Sequence, residues 1–266
     1  MKIKPSQHIQ LNRGILCGVG DRIDEWLKCS KRFQTKSAFH ELYKRNGRDL
    51  EPPPLGDMYG LIGQNWNGES ARSIKLWSLR ANEDCAGTRA EVALERAIVG
   101  LNLTGCEDCW ANQVPTSSGL SKSSSDRHRN VDLIRCSASV CEFIELKVSH
   151  SYSHPVYAAM EILCYGLLYL FCREKKEKLE IDTEILRAAS VHLRVLAPAD
   201  FYDKQHTEWL REFERVINSG IAKFAASHFK PLEMNFRFDQ FPDGFQWPSL
   251  GQLEKAVRGI HRAFPE

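Results

Sequence analysis

The sequence predicts an α/β protein, and three observations carry that expectation. Between Arg129 and Cys172, two short apolar runs precede a long and almost wholly apolar segment, the pattern of two strands followed by a buried helix. Farther on, Val191, Leu193 and Val195 alternate with His192 and Arg194, and Leu232, Met234, Phe236 and Phe238 alternate with Glu233, Asn235, Arg237 and Asp239. A period of two belongs to half-buried strands. Around these runs, apolar residues recur at helical spacing.

Taken in order, residues 9–19 read as a strand ending at Gly18-Val19-Gly20, and a helix follows with Ile23, Trp26 and Leu27 on one side. Lys28, Lys31, Arg32, Lys36, Lys44, Arg45 and Arg48 make this the most basic region, either a phosphate-facing surface or a solvated helix face. Glu51-Pro52-Pro53-Pro54 stops any helix and marks an internal boundary. Residues 56–68, rich in glycine and asparagine, carry no readable pattern. From Ala90, an apolar stripe through Ala93, Leu94, Ala97, Ile98 and Leu101 predicts a helix. Glu91 lies seven residues from Ile98, nearly two turns, and is the acid expected to turn inward; Glu95 is expected farther round, towards solvent. Trp110 to Pro115 reads as a strand, and the serine-rich stretch 116–130 as a flexible connection. Strands at Val131–Ile134 and Cys141–Val148 come next. Ser153-His154-Pro155 opens the long helix, with proline tolerated in its first turn. Trp209, Leu210, Phe213, Val216, Ile217 and Ile221 trace another helix. Ser249 with Gln252 is a capping-box signal for a last one carrying Leu250, Leu253, Val257, Ile260 and Phe264.

A hydrophobic fraction of 42% with 26% charged residues suits a globular domain, and a net charge of +2 is too small to announce a nucleic-acid binder by itself. The cysteine count of 9 is odd, and Cys141, Cys164 and Cys172 sit in apolar runs. With no apolar leader at the N-terminus, free thiols and a cytoplasmic setting are expected over a disulfide framework. Pro155 to Cys172 falls short of the roughly 20 residues a membrane span needs and contains Glu161, so a core helix and no membrane are expected. Cys106 and Cys109 form a single CxxC; a zinc site would have to recruit Cys85 and His128 through the fold, and two reduced thiols are the simpler expectation.

The chemistry concentrates at Asp132, Glu145 and Lys147. Alternation places Glu145 and Lys147 on one side of their strand, and a charge in so apolar a strand needs a partner or a task. Asp132 and Glu145, with a backbone carbonyl near Leu146, form a half-shell of hard oxygen ligands suited to Mg²⁺ or Mn²⁺. Glu91 would hold the ion through water or help bind a second one. Lys147 would orient a metal-bound water and offset developing negative charge. Glu161 is the one acid of the long helix, with Tyr165 one turn on. Lys122, Arg127 and Arg129 in the serine-rich stretch are candidates for phosphate contact.

An acid on a helix (Glu91), an acid in a strand (Val131-Asp132), a Glu145-Leu146-Lys147 strand and then a helix resemble the PD-(D/E)xK nuclease superfamily. Glu161-x-x-x-Tyr165 is similar to the QxxxY element of its RecB-like branch, with glutamate in place of glutamine, and Val131 stands where the motif has proline. The resemblance spans residues 81–173. It implies a restriction-endonuclease-like core, a mixed central sheet flanked by helices, over residues 81–266, with residues 1–80 as a basic, partly helical extension. It also implies a Mg²⁺- or Mn²⁺-dependent nuclease acting on DNA more often than RNA, in defence, restriction or repair, with Glu161 and Tyr165 on the substrate side. A homodimer and an activating partner protein are compatible with that activity. The alternative is an inactive nucleic-acid-binding or protein-interaction module on the same fold. The iron–sulfur clusters of some relatives need cysteines near the C-terminus, and none follows Cys172.

Overall fold

Burial of one long helix decides the layout. The computed structural model describes residues 11–29, 36–45, 47–69, 75–84, 89–101, 109–148, 154–202, 204–228, 232–248 and 250–265. In chain order these form α1 (Val19–Leu27), α2 (Lys36–Tyr43), α3 (Leu55–Asn65), α4 (Ala90–Val99), β1 (Cys109–Pro115), β2 (Asn130–Ser137), β3 (Val140–Leu146) and α5 (Pro155–Glu174). There follow α6 (Lys176–Leu179), β4 (Ser190–Ala197), α7 (Thr207–His228), β5 (Glu233–Gln240), α8 (Leu250–Arg258) and β6 (His261–Arg262). Every residue of α5 from Pro155 to Cys172 is buried, and an apolar helix of this length can bury all its sides only between layers. The helix is long and apolar enough to cross a membrane, but here it is enclosed by the protein.

The strands pair in the order β1-β2-β3-β4-β5-β6. Pairing is antiparallel from β1 to β3 and between β5 and β6, and parallel from β3 to β5, so the sheet is mixed. The chain is therefore α/β with a central sheet between helical layers. One face, through Phe143, Val191, Leu193, Val195, Phe236 and Phe238, packs on α5 and α7. The other, through Leu133, Ile144, Leu146 and Leu196, packs on α4 and α8. His154 caps α5, its Nδ1 accepting from Tyr157 N at 3.1 Å, and Phe39 of α2 stacks on the His154 ring.

The N-terminal helices close over α5. Leu16, Ile23, Met58, Ile62 and Trp77 belong to the same core as α5, and Trp77 stacks on Phe143 with ring centroids 5.5 Å apart. The strand expected at residues 9–19 is not there: its described part makes a 3₁₀ turn at Gly14–Leu16 and then enters α1. Gly14 and Gly18 take φ of 56° and 81°, outside the extended region, so the run is broken twice. The unread stretch 56–68 is largely α3, whose apolar spacing at Leu55, Met58 and Ile62 is diluted by glycines. At the other end α8 stops at Arg258, so Ile260 and Phe264 lie beyond the helix expected to carry them, and Ser249, the expected cap, lies outside the described residues.

Two further expectations change. Cys136 and Cys141, facing positions of β2 and β3, are joined in a disulfide, whereas a free Cys141 was expected; Cys164 and Cys172 are free and buried. Of the CxxC pair, Cys109 is an exposed free thiol, while Cys85 and Cys106 lie outside the described residues, as do Lys31 and Arg32 of the basic region.

The seam between α7 and the start of α3 tests this packing. A Cβ on Gly220 would sit 2.6 Å from Pro53 Cδ, whereas one on Gly63 meets nothing within 4 Å. Gly220→Ala should destabilise the fold by about 1–3 kcal/mol through overpacking. Gly63→Ala should stabilise it by about 0.5–1 kcal/mol through helix propensity. Urea midpoints at unchanged slope would read both, and a matching shift in the two variants would contradict the seam.

Candidate active site

The carboxylates converge where β2 and β3 part. Strict alternation in β2 slips at Asp132: Val131 and Ile134 both face the α5 side, and Leu133 faces α4. Opposite, Gln113 has a φ of 51°, and Ala111 and Val114 show the same slip in β1. Asp132 is thereby released from the ladder, and its Oδ2 accepts from Leu146 N at 2.9 Å. Leu146 thus enters the site through its backbone while its side chain packs in the α4–α8 core. Glu145 and Lys147 follow β3's alternation onto the α5 side, and Lys147 N donates to Leu196 O of β4 at 2.9 Å.

Lys147 is the hub. Its Nζ lies 2.5 Å from Glu145 Oε1, 3.5 Å from Glu91 Oε1 and 3.9 Å from Asp132 Oδ2. Glu161 of α5 faces Glu145 from the far side, and Glu145 Oε2 is buried with no hydrogen-bond donor opposite it among the described residues. Asp132 and Glu91 keep contact with solvent, their side chains 14% and 34% exposed. Three of the residues expected to act with Lys147, namely Asp132, Glu145 and Glu91, are therefore within reach of its ammonium.

The electrostatics follow from burial. Burial, and then the charge of Glu145, raises the Asp132 carboxyl well above its usual range, against the pull of Lys147. Burial and the neighbouring Glu161 do the same to Glu145. Burial pushes Glu161 up to about 7, with Lys147 opposing. Burial works against the Lys147 ammonium as well, but Glu145, Glu91 and Asp132 outweigh it and its pKa is raised. Lys147 is thus an ammonium at neutral pH, a donor of hydrogen bonds and positive charge and no general base.

Other expected residues stand apart. Tyr165 is fully buried, and Glu161 is buried against Glu145, so neither offers a surface to a polymeric substrate. Arg129 is buried too: it pairs with Asp126 and donates from Nη2 to Arg13 O at 2.5 Å, pinning the N-terminal segment instead of reaching a phosphate. The connection expected to be flexible is built on that pair, since Asp126 is fully buried and also accepts from Ile15 N at 3.2 Å. A Cβ at Gly14 would collide with Asp126, so glycine is required there. Lys122 and Arg127 are exposed and line one cleft with Ser118, Ser121, Ser123 and Asn67.

Glu95 overturns its expectation. It is buried, not turned to solvent, and its Oε2 accepts from Gln113 Nε2 at 2.6 Å. A signal existed: Glu95 is one turn from Glu91, so a helix that turns one inward brings the other. No sequence signal marks Gln113.

No family model, curated protein or solved structure matches the chain.

Does a divalent cation fit? Glu91, Glu95, Asp132, Glu145 and Glu161 surround a single ammonium, so the buried cluster needs protons or cations to balance it. Its donors are all oxygen, the chemistry of Mg²⁺ or Mn²⁺. No three acidic, histidine or cysteine residues among the described ones enclose a metal by themselves. That suits an ion taking only one or two carboxylates and completing its shell with water and substrate.

Glu95 gives a test in metal-free buffer. Burial, then the charge of Asp132, raises its carboxyl to about 9, with the Gln113 donor opposing. A raised folded pKa contributes stability that is full below the unfolded value, near 4.5, and is lost as pH climbs towards 9. Glu95→Gln keeps an acceptor for Gln113 and abolishes the titration. With EDTA present, its unfolding free energy should gain steadily on wild type as pH rises from about 4.5 to about 9. A pH-independent difference would show that Glu95 does not titrate as a buried acid.

Proposed function

We propose that the chain is a divalent-metal-dependent nuclease that hydrolyses phosphodiester bonds in nucleic acid, DNA before RNA. The observation that carries this reading is the convergence of Asp132 and Glu145, from adjacent strands, on the ammonium of Lys147. The order α4-β1-β2-β3-α5 in a mixed sheet supports it, because the resemblance implies a helix, three strands and a helix in that sequence. Residues 1–80 would then be an addition to that core, its helix α3 packed on α5.

Asp132 and Glu145 would hold the cation, with the Leu146 backbone beside them and Glu91 engaging it through water. Bound there, Mg²⁺ or Mn²⁺ lowers the pKa of a water and offsets charge on the phosphate. Lys147 does the rest with its own proton count unchanged: it orients the attacking water by hydrogen bonding and stabilises the charge that builds on the phosphoryl oxygens. Glu161 is a positioning residue. It holds Glu145 in place through their mutual contact, and its partial protonation near neutral pH limits repulsion between the two. Lys122 and Arg127 are suited to hold flanking phosphates.

One observation favours a second reading. Lys147 stands in direct contact with Glu145 and can fill the cationic role itself. In that case the protein binds nucleic acid without turnover.

Cleavage of plasmid, linear duplex, single-stranded DNA and RNA in Mg²⁺, Mn²⁺ or EDTA separates the two. Cutting should require the metal and fall by about 10²-fold or more in Asp132→Asn and Lys147→Ala. Metal-independent cutting, or variants as active as wild type, would sink the site assignment. Binding without cutting would select the second reading.

A further inference from the structure

The second face of the sheet holds a cavity that the carboxylate cluster does not use. Helices α4 and α8 cover only part of that face. Beyond them, Trp110 pairs with Arg135, Arg135 with Glu142, and Arg194 with Arg237 in the strand registers. These side chains, with Asp239 and Arg258, line a cavity of about 320 Å³ against the end of α8. Ile144, Leu196 and Val257 give it apolar walls.

The cavity is a cationic basin. Its lining contains four guanidiniums, Arg135, Arg194, Arg237 and Arg258, against two carboxylates, Glu142 and Asp239. Asp239 is engaged by Arg237, whose Nη2 donates to it at 2.9 Å. Arg258 lies at the rim with Glu254 at 3.0 Å. Arg194 is different. Its side chain is 5% exposed; Nη1 donates to Asn235 Oδ1 at 2.8 Å and Leu193 O at 3.1 Å, while Nε, 3.5 Å from Glu142 and 3.6 Å from Asp239, has no hydrogen-bond partner among the described residues. Charge-assisted pairs close to about 2.7–2.9 Å when nothing separates them. Burial, with Arg237 adding to it, lowers the Arg194 pKa to about 10, against the pull of Asp239, Glu142 and Glu214.

We propose that this cavity binds a small phosphate monoester, its dianion held between Arg194 and Arg237 with Arg135 and Arg258 at the mouth. Guanidiniums outnumber carboxylates four to two in the lining, and planar guanidiniums grip phosphate oxygens in pairs. The apolar walls and Trp110 accept the organic part, as in a nucleoside monophosphate. A polymer backbone suits the basin poorly: a phosphodiester brings one charge and a substituent on either side, and Arg194 is too deep for it. The basin uses Glu142 and Ile144 of β3 and the carboxylate cluster uses Glu145 and Lys147, so this inference stands apart from the nuclease reading.

Calorimetric titration of the full chain with inorganic phosphate and with adenosine 5′-monophosphate tests it, with chloride at matched ionic strength as control. Both probes should bind saturably, the nucleotide more tightly. Arg237→Lys, which keeps a cation beside buried Asp239, and Arg258→Gln at the exposed rim should each weaken binding about tenfold. Asp132→Asn should leave it unchanged. The proposal fails if neither probe saturates at millimolar concentration, or if chloride reproduces the heat. Indifference to both arginine variants, or loss in Asp132→Asn, fails it too. Displacement of phosphate by a DNA oligonucleotide that itself needs Arg237 would make the basin part of a nucleic-acid surface and overturn the small-ligand assignment.

Discussion

Helix α5 is apolar on every side, and that constraint organises the rest. Its eighteen consecutive buried residues need a sheet on one flank and a cover on the other. The sheet supplies Phe143, Leu193 and Val195; the cover comes from the N-terminal helices, through Leu16, Ile23, Met58 and Ile62. Gly166 lets α5 approach β4, since a Cβ there would lie 2.8 Å from Leu193 Cδ1. Burying that much hydrocarbon, at roughly 25 cal/mol per Å², fixes α5 firmly enough to carry a carboxylate where one would not otherwise be tolerated. Glu161 is that carboxylate, and it faces the end of β3.

What the sequence disclosed was what periodicity encodes. The helices at Ala90 and Trp209, the strands at Val131, Cys141, Val191 and Leu232, and the long helix are all plain in the spacing of apolar residues. So is the shared side of Glu145 and Lys147, because β3 is regular there. Legibility ended where the backbone departs from regular geometry. Gly14 and Gly18 turn an apolar run into a corner, and the paired irregularity at Gln113 and Asp132 is invisible in residue type. Long-range pairing was equally hidden: Arg129 looks like a loop cation until Asp126 and Arg13 are brought beside it. Glu95 was legible in principle, one turn from Glu91, but solvent seemed the cheaper place for a second acid.

The same sheet separates two kinds of charge. Around the end of β3, acids from α4, α5 and the strands outnumber cations about Lys147; beside α8, guanidiniums outnumber acids around Arg194. Neither imbalance would survive burial if the two sets could reach each other, since they would neutralise by pairing. Each set stays short of a full counter-charge, which leaves each available to a ligand of opposite sign.

Strand β3 is the wall they share. Its odd positions, Cys141, Phe143 and Glu145, with Lys147 just beyond, look towards α5; its even positions, Glu142, Ile144 and Leu146, look the other way. One inserted or deleted residue between Val140 and Leu146 would therefore flip the strand that follows it, turning Glu145 and Lys147 towards the arginines and Leu146 towards α5. The Cys136–Cys141 bridge joins facing residues on either side of a two-residue turn, Ala138 and Ser139. It acts as a phase lock: wherever the thiols are oxidised, the hairpin cannot slide, and the parity of every side chain downstream to Lys147 is set before either surface has met its ligand.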